Sequence, residues 1–498
     1  MFGRLARWLP KQPWCMEILK KNGVSDLGNS GHAAWLYLEN LYHDRKISFG
    51  WPSDEEPFRL LDRKREPYWI SFLPPSAQRY IRNNYAITDG IDQFAIVMNF
   101  LYTGFGYIIP DCGLVPAACD VFNLHRLIGI KQLGFLHDPV LRENDRHAMT
   151  TGFYHTRYCH VLDTYAIANL IAENVRLQER QKNTLLTAAI SHDALTPAGG
   201  DSVKLIDPSV FDEDAHYPEL LVGEEWNRYR EQFGVIQGLL VETIMGQGLL
   251  GRILDAADKS AYTARDVDAY LMTPDPKKDF RNTHLYAIAD IVEKDPNVCG
   301  IWESARVIKG SLVFADGERL ARFMKLRALM FRGLYYNPHS RFFEYLIGKG
   351  VIKHLYKNGL VTREELLEQQ DEWIERKVDK FVGTYSLTHR FHDLSNSRIE
   401  EHHDLPAARE RASEFAANPS IITVVDDFPV STNNAVRKFL VRKNGKVEVF
   451  ADAYPEDAEE IESIMKSTAK IRVFFFDAND LHLSPESIKK LKDIMLLC

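Results

Sequence analysis

The chain has few cysteines, no long apolar run and no internal repeat, and each absence narrows what it is. Its six cysteines, Cys15, Cys112, Cys119, Cys159, Cys299 and Cys498, form no CxxC pair and no regular framework, which argues against a structural zinc site and a disulfide scaffold. They read as small buried hydrophobes. No stretch approaches the roughly 18 uninterrupted apolar residues of a membrane span. The basic opening MFGRLARWLPKQPW also lacks the apolar core of a signal peptide. A cytoplasmic protein with no membrane partner is expected. A net charge of −8 is not the footprint of a protein that coats nucleic acid, so nucleic acid is not expected as the main partner. Nucleotides stay compatible with it, because a metal offsets their charge.

What is present is an ordinary globular composition, 45% hydrophobic and 26% charged, in 498 residues, more than one core usually serves. Residues 1–115 mix helical patterns such as AAWLYLENLYHD with Pro- and Gly-broken loops, and are expected to form a helical extension that packs on the core or on another subunit. Residues 116–360 carry apolar positions at three- and four-residue spacings, as in RYCHVLDTYAIANLIAENV and NTLLTAAISHDAL, which predict core helices. Residues 361–498 open with a charge-rich helical stretch, REELLEQQDEWIERKVDKFVG. Strand patterns follow in SIITVVDDFPV, VRKFLVRK, KVEVFADAY and KIRVFFFD, with Asn444-Gly445 as a hairpin signal. A helix in DAEEIESIMKS and a closing helix opened by Ser484-Pro485 complete a small α+β unit. The expected class is mainly α, with a helical core, a helical N-terminal extension and a small α+β C-terminal unit.

Chemistry concentrates in the middle region. His160, the doublet His192-Asp193, and Asp258 stand on three separate helical segments. Pro197 and Gly199-Gly200 end the second of these just past the doublet. Buried imidazoles and carboxylates without partners cost several kcal/mol, so clustering them makes sense mainly around a cation. Two histidines with two aspartates offer too much oxygen for structural zinc and suit Mn, Mg, Fe or catalytic Zn with open positions. Such an ion polarises a phosphoryl oxygen and acidifies water, the two tasks of phosphoester hydrolysis.

RYCH ending at His160, SHD ending at Asp193 and ADKSAYTARD containing Asp258 resemble the metal motifs of HD-domain phosphohydrolases, closest to the deoxynucleoside triphosphate triphosphohydrolase branch. HRLIGIKQLGF resembles the segment that precedes the first metal histidine there, so the likeness spans roughly residues 120 to 350. It implies an HD helical core and a divalent metal held by His160, His192, Asp193 and Asp258. It also implies a dNTP cleaved at the α-phosphate to deoxynucleoside and triphosphate, and a homo-oligomer. Arg157 would contact the α-phosphate and Lys259 another phosphate. Tyr262 would pack on the sugar, Asp266 would bind its 3′-hydroxyl, and Gln132 with Leu133 would read the deoxyribose edge. The stretch ALMFRGLYYNPHSRFFEYLIGKG, with His339 and its aromatics, resembles a later substrate-facing helix pair, although a core helix explains Phe342, Phe343 and Tyr345 as well. Taken singly, Tyr262 also fits core packing, Arg157 and Lys259 fit pairing with nearby acids, and Asp266 fits a pair with Arg265.

The likeness breaks after the doublet. The branch continues with two histidines that assist proton transfer; here Thr196 stands at the first and Asp201 near the second. Threonine is no general acid at neutral pH, whereas an Asp raised by burial would be. Asp201, His216 and Glu224 are the alternatives for that role. Hydrolysis of another phosphorylated nucleotide (a monophosphate, a cyclic nucleotide or an alarmone), or nucleotide sensing without turnover, are the alternatives for the function.

Overall fold

The computed structural model describes residues 114–133, 156–271, 283–384, 398–427 and 435–495, apart from a few single positions, together with Leu387. The expected N-terminal extension lies outside the described residues except for its last two. The fold is mainly α with small sheets toward the C-terminus.

A short helix, α1 (Leu114–Val121), and a 3-10 turn, Leu124–Gly129, lead toward α2 (Arg157–Val175). Every residue of α2 from Arg157 to Asn169 is buried. A helix without a solvent face must lie inside a bundle. It packs against α3 (Glu179–Ser191), followed by α4 (Gly223–Phe233), α5 (Gln237–Ile244) and the long α6 (Gly248–Leu271). Helix α3 stops at Ser191, just before the doublet and short of the predicted break at Pro197 and Gly199-Gly200; residues 192–200, in which Gly199 and Gly200 have φ of 90° and 58°, turn back toward a single helical turn at Asp201–Lys204.

After α7 (Thr283–Lys294) the hairpin β1 (Ala305–Ile308) and β2 (Ser311–Phe314) leads into α8 (Gly317–Met330), whose first turn is capped by the Asp316 carboxylate accepting from the Arg319 N–H at 2.9 Å. Two π-helical stretches follow, Phe331–Tyr335 and Glu344–Ile352, flanking the turn Pro338–Phe343. π-Helical turns are rare and gather at functional sites.

The predicted single helix beyond residue 360 is two, Arg363–Glu368 and α9 (Asp371–Val382). The break at Gln369-Gln370 has a cause: the Gln369 carbonyl accepts from Arg126 Nη1 at 3.2 Å, and Asp371 turns inward to accept the N–H groups of Lys131 and Gly199, both at 2.7 Å.

The C-terminal strands divide between two sheets. Strand β3 (Arg398–His402), helix α10 (Leu405–Glu414) and β4 (Ile421–Asp426) precede the hairpin β5 (Leu440–Lys443) and β6 (Lys446–Val449). Helix α11 (Pro455–Thr468), β7 (Ile471–Asp477) and α12 (Pro485–Met495) finish the chain. Asn444 and Gly445 both have positive φ, 51° and 81°, the type I′ turn their identities demand. The hairpin is shorter than its apolar pattern suggests. Val436 lies in a helical turn, Ala435–Lys438, and the segment after Val449 turns helical because β5, its partner, ends at Leu440 opposite Val449. Strand β5 runs parallel to β2, giving the order β1-β2-β5-β6, while β7 lies between β3 and β4 in an antiparallel sheet.

Besides a small cluster of Ala408, Ala412, Val473 and Phe475, two large apolar clusters form among the described residues. One surrounds α2, α3, α6 and α8 and takes Phe439, Val441, Phe450 and Ile461 from the C-terminal part. The other joins Phe342 to Ile352 with α9, β4, β7 and α12. Both draw on residues from either side of position 360.

Candidate metal centre

Helix α2 supplies His160, the end of α3 supplies His192 and Asp193, and the middle of α6 supplies Asp258. His192 sits at the C-cap, where its Nδ1 donates to the Ala189 carbonyl at 3.0 Å. In the neutral ring this leaves Nε2 with its lone pair. That Nε2 lies 3.2 Å from His160 Nε2; Asp258 Oδ1 is 3.0 Å from the first imidazole's Nε2 and 3.7 Å from the second's. These three ligand atoms all fall within 4.8 Å of one another. Two nitrogens about 2.1 Å from a shared ion are separated by about 3.0 to 3.4 Å for octahedral to tetrahedral angles, so the spacing fits a common cation. Asp193 borders the group, its oxygens 3.7 Å from His160 and 3.8 Å from His192.

Charge is arranged around this centre. Arg157, at the start of α2, donates Nη1 to Asp193 Oδ2 at 3.0 Å and Nη2 to Asp201 Oδ2 at 2.6 Å. Desolvation opposes ionisation of Asp201, whose side chain stays about half exposed, but Arg157 and Lys204 outweigh it and hold the carboxyl at about 2. Burial likewise opposes charge on His192, yet Asp193 and Asp258 push it up to about 9 without a metal. The same imidazoles hold Asp258 well below the usual carboxylate range against its burial.

The centre opens on a cavity of about 550 Å³, within the size range of small-molecule sites. Gln132, Leu133, Arg157, Tyr262 and Asp266 all lie on its wall. Gln132 is buried, and its Oε1 makes no hydrogen bond among the described residues. Its neighbour Lys131 is fixed by Asp371 and bridges to Thr156 at the head of α2. Tyr262 accepts from Arg327 Nε, with the guanidinium 5.6 Å from its ring, and Asp266 accepts from the Tyr335 hydroxyl. Arg265 pairs with Asp163 at 2.5 Å.

Several expectations need correction. Lys259 is not on the cavity wall. One residue beyond Asp258 it points about 100° around α6, pairs with Asp255 and lies 5.9 Å from the Phe439 ring. Asp201 is on the wall, but as a fixed anion it does not suit a general acid. His216 is bound to Glu219 and the Ser209 carbonyl, and Glu224 is exposed on the first turn of α4; neither borders the cavity. Phe342, Phe343 and Tyr345 are core residues. The side chain of His339 lies outside the described residues.

Sequence reasoning did not single out Lys204, Arg341 and Glu344, all on the wall; Phe331, Tyr335 and Tyr336, also there, belong to the aromatic stretch that resembles a substrate-facing helix pair. Lys204 pairs with Asp201 and Glu213, both at 3.0 Å. Arg341 and Glu344 are visible in the sequence as an R-x-x-E pair, but nothing local says that the pair faces the metal centre.

The fold is shared with solved structures. A hypothetical protein from Aquifex aeolicus superposes with a TM-score of 0.50 at 15% identity, covering 76% of this chain and 95% of that one. A phosphohydrolase from Bacteroides thetaiotaomicron gives 0.52 at 14% identity, covering 74% and 96%. At such identities the likeness is one of fold. No protein-family model and no curated protein matches the sequence. No helix among the described residues is long and apolar enough to cross a membrane.

Proposed function

We propose that the chain is a divalent-metal-dependent phosphohydrolase of the HD type acting on a nucleotide, with a dNTP cleaved to deoxynucleoside and triphosphate as the specific reaction. The observation that carries this reading is the meeting of His160, His192 and Asp258 within 4.8 Å, beside Arg157, at a cavity of nucleotide size. The phosphohydrolase of the same fold and the motif order H…HD…D add support.

A divalent cation in this site supplies Lewis acidity toward phosphoryl oxygen and acidifies water. The chain's own residues do the rest. Arg157, oriented by Asp193 and Asp201, offers a rigid positive charge where negative charge grows in the transition state. Gln132 presents an uncommitted amide oxygen to a sugar hydroxyl, and Tyr262 with Asp266 fixes the sugar's position. The aromatic rings of Phe331, Tyr335 and Tyr336 give a base an apolar wall. A homo-oligomer is part of the same reading.

The test is release of inorganic triphosphate from each dNTP by the purified protein with Mn²⁺ or Mg²⁺, repeated on Asp193→Asn. If no nucleotide yields triphosphate or phosphate, the reading is wrong. A second reading, cleavage of a nucleoside monophosphate or cyclic nucleotide, is favoured by the absence of Lys259 from the wall, since a smaller anion needs fewer cations. Product analysis separates the two.

A further inference from the structure

We infer that the Arg341 guanidinium is a subsite for a tetrahedral oxyanion of the phosphate class, and that Glu344 is the carboxyl which that anion displaces. The inference rests on the phosphohydrolase reading for the source of the anion, a phosphoryl group of the substrate. Arg341 and Glu344 both belong to the wall of the cavity that holds the metal centre, and both are nearly fully buried. The guanidinium is gripped on one side by the scaffold: Asp426 at the end of β4 accepts from Nε at 3.2 Å and from Nη2 at 3.0 Å. The rings of Tyr336 and Tyr345, 5.2 and 5.0 Å away, hold its plane. Its Nη1 goes to Glu344 Oε2 at 2.5 Å. A planar donor fixed along one edge, with another nitrogen given to a fellow wall residue, is suited to an oxyanion.

The two acids are not equivalent partners. Asp426 also has Arg472 from β7 within 3.8 Å, whereas Glu344 shares Arg341 and meets the negative charge of Asp201 from the turn Asp201–Lys204 and of Asp426 from β4. Burial, opposed by Arg341 and aided by those two carboxylates, raises the Glu344 carboxyl to about 7. Near neutrality it therefore takes a proton and releases its claim on Nη1, which an incoming oxyanion then accepts.

The test uses sulfate, whose charge is constant between about pH 6 and pH 8, as the probe in calorimetric titrations of the full chain. Glu344→Gln keeps the shape of the side chain and fixes it uncharged. If binding requires the uncharged form, wild type should bind sulfate about tenfold more weakly than Glu344→Gln at pH 8 and almost equally at pH 6. A ratio near one at both pH values, or one that does not change with pH, overturns the inference. Folded Arg341→Lys should lose affinity at both pH values, and unchanged affinity there overturns it as well. Sulfate should compete with the nucleotide, raising KM and leaving kcat; inhibition of any other type would mean that the anion site is separate from the substrate site and overturn the assignment to a substrate phosphoryl group. Because binding is the readout, a chain that hydrolyses nothing still tests the subsite.

Discussion

Arg157 shows how much of this site depends on single side chains. Its terminal nitrogens are committed to two different carboxylates, Asp193 and Asp201, so Arg157→Ala leaves a buried Asp193 without its main counter-charge. Loss of about 3 kcal/mol is expected, read by urea denaturation, together with loss of activity. Asp258→Asn should lower divalent-metal affinity by about 10- to 100-fold or more, measured by metal analysis after dialysis, while the fold persists. The Glu344 carboxyl has its pKa raised from 4.5 to about 7 on folding, chiefly by burial, so between these values the folded chain holds a proton that the unfolded chain has lost. Stability should therefore fall as pH rises from about 4.5 to about 7. Glu344→Gln should remove that part of the slope, and a curve parallel to wild type across this window would contradict it. At this scale the candidate ligands His160, His192 and Asp258 were legible because each sits in a short local motif. Lys204, Arg341 and Glu344 were not, because no local pattern says that their ion pairs border the cavity, and Lys259 misled because adjacency to Asp258 says nothing about which side of α6 it occupies.

Helices and strands were legible where local chemistry decides them. Asn444-Gly445 dictates its turn, Gly199-Gly200 turns the chain back after the doublet, and Ser484 accepts the Ser487 N–H at 3.1 Å to open α12. They were illegible where a distant group overrides the pattern, as when Arg126 and Asp371 interrupt what reads as one helix around Gln369-Gln370. The π-helical stretch Glu344–Ile352 belongs with these. Its Gly348 lies so close to the turn carrying Asp201 and Lys204 that a Cβ there would come within 2.2 Å of the Ser202 carbonyl oxygen. Gly348→Ala should cost about 1 to 3 kcal/mol in stability. It should also displace Asp201 and Lys204, seen as a raised KM in whatever reaction the chain performs; wild-type KM with lowered stability would confine the effect to packing.

For the whole molecule, a mainly helical body with a small mixed C-terminal part was readable from periodicity alone. Its wiring was not. Strand pairing such as β2 with β5 joins positions more than a hundred residues apart, and no local pattern encodes it. Because both large apolar clusters cross residue 360, removing residues 398–498 takes away β4, β7 and α12 from one cluster and Phe439, Phe450 and Ile461 from the other. The truncated chain should lose its cooperative thermal transition, monitored by circular dichroism. A sharp transition near the wild-type midpoint would instead mean that the helical body stands alone.

The stretch that follows the metal doublet is held in an unusual way. Arg126 grips the carbonyls of Ala194 and Thr196, Asp371 takes the N–H of Gly199, and the Leu366 carbonyl takes the N–H of Ala198. Every one of these clasps closes on peptide groups, which all amino acids except proline share. Apart from Gly199 and Gly200, whose positive φ favours glycine, the side chains along this ledge can therefore be exchanged while its path is preserved, and new proton-handling chemistry can be tried there without rebuilding the rest.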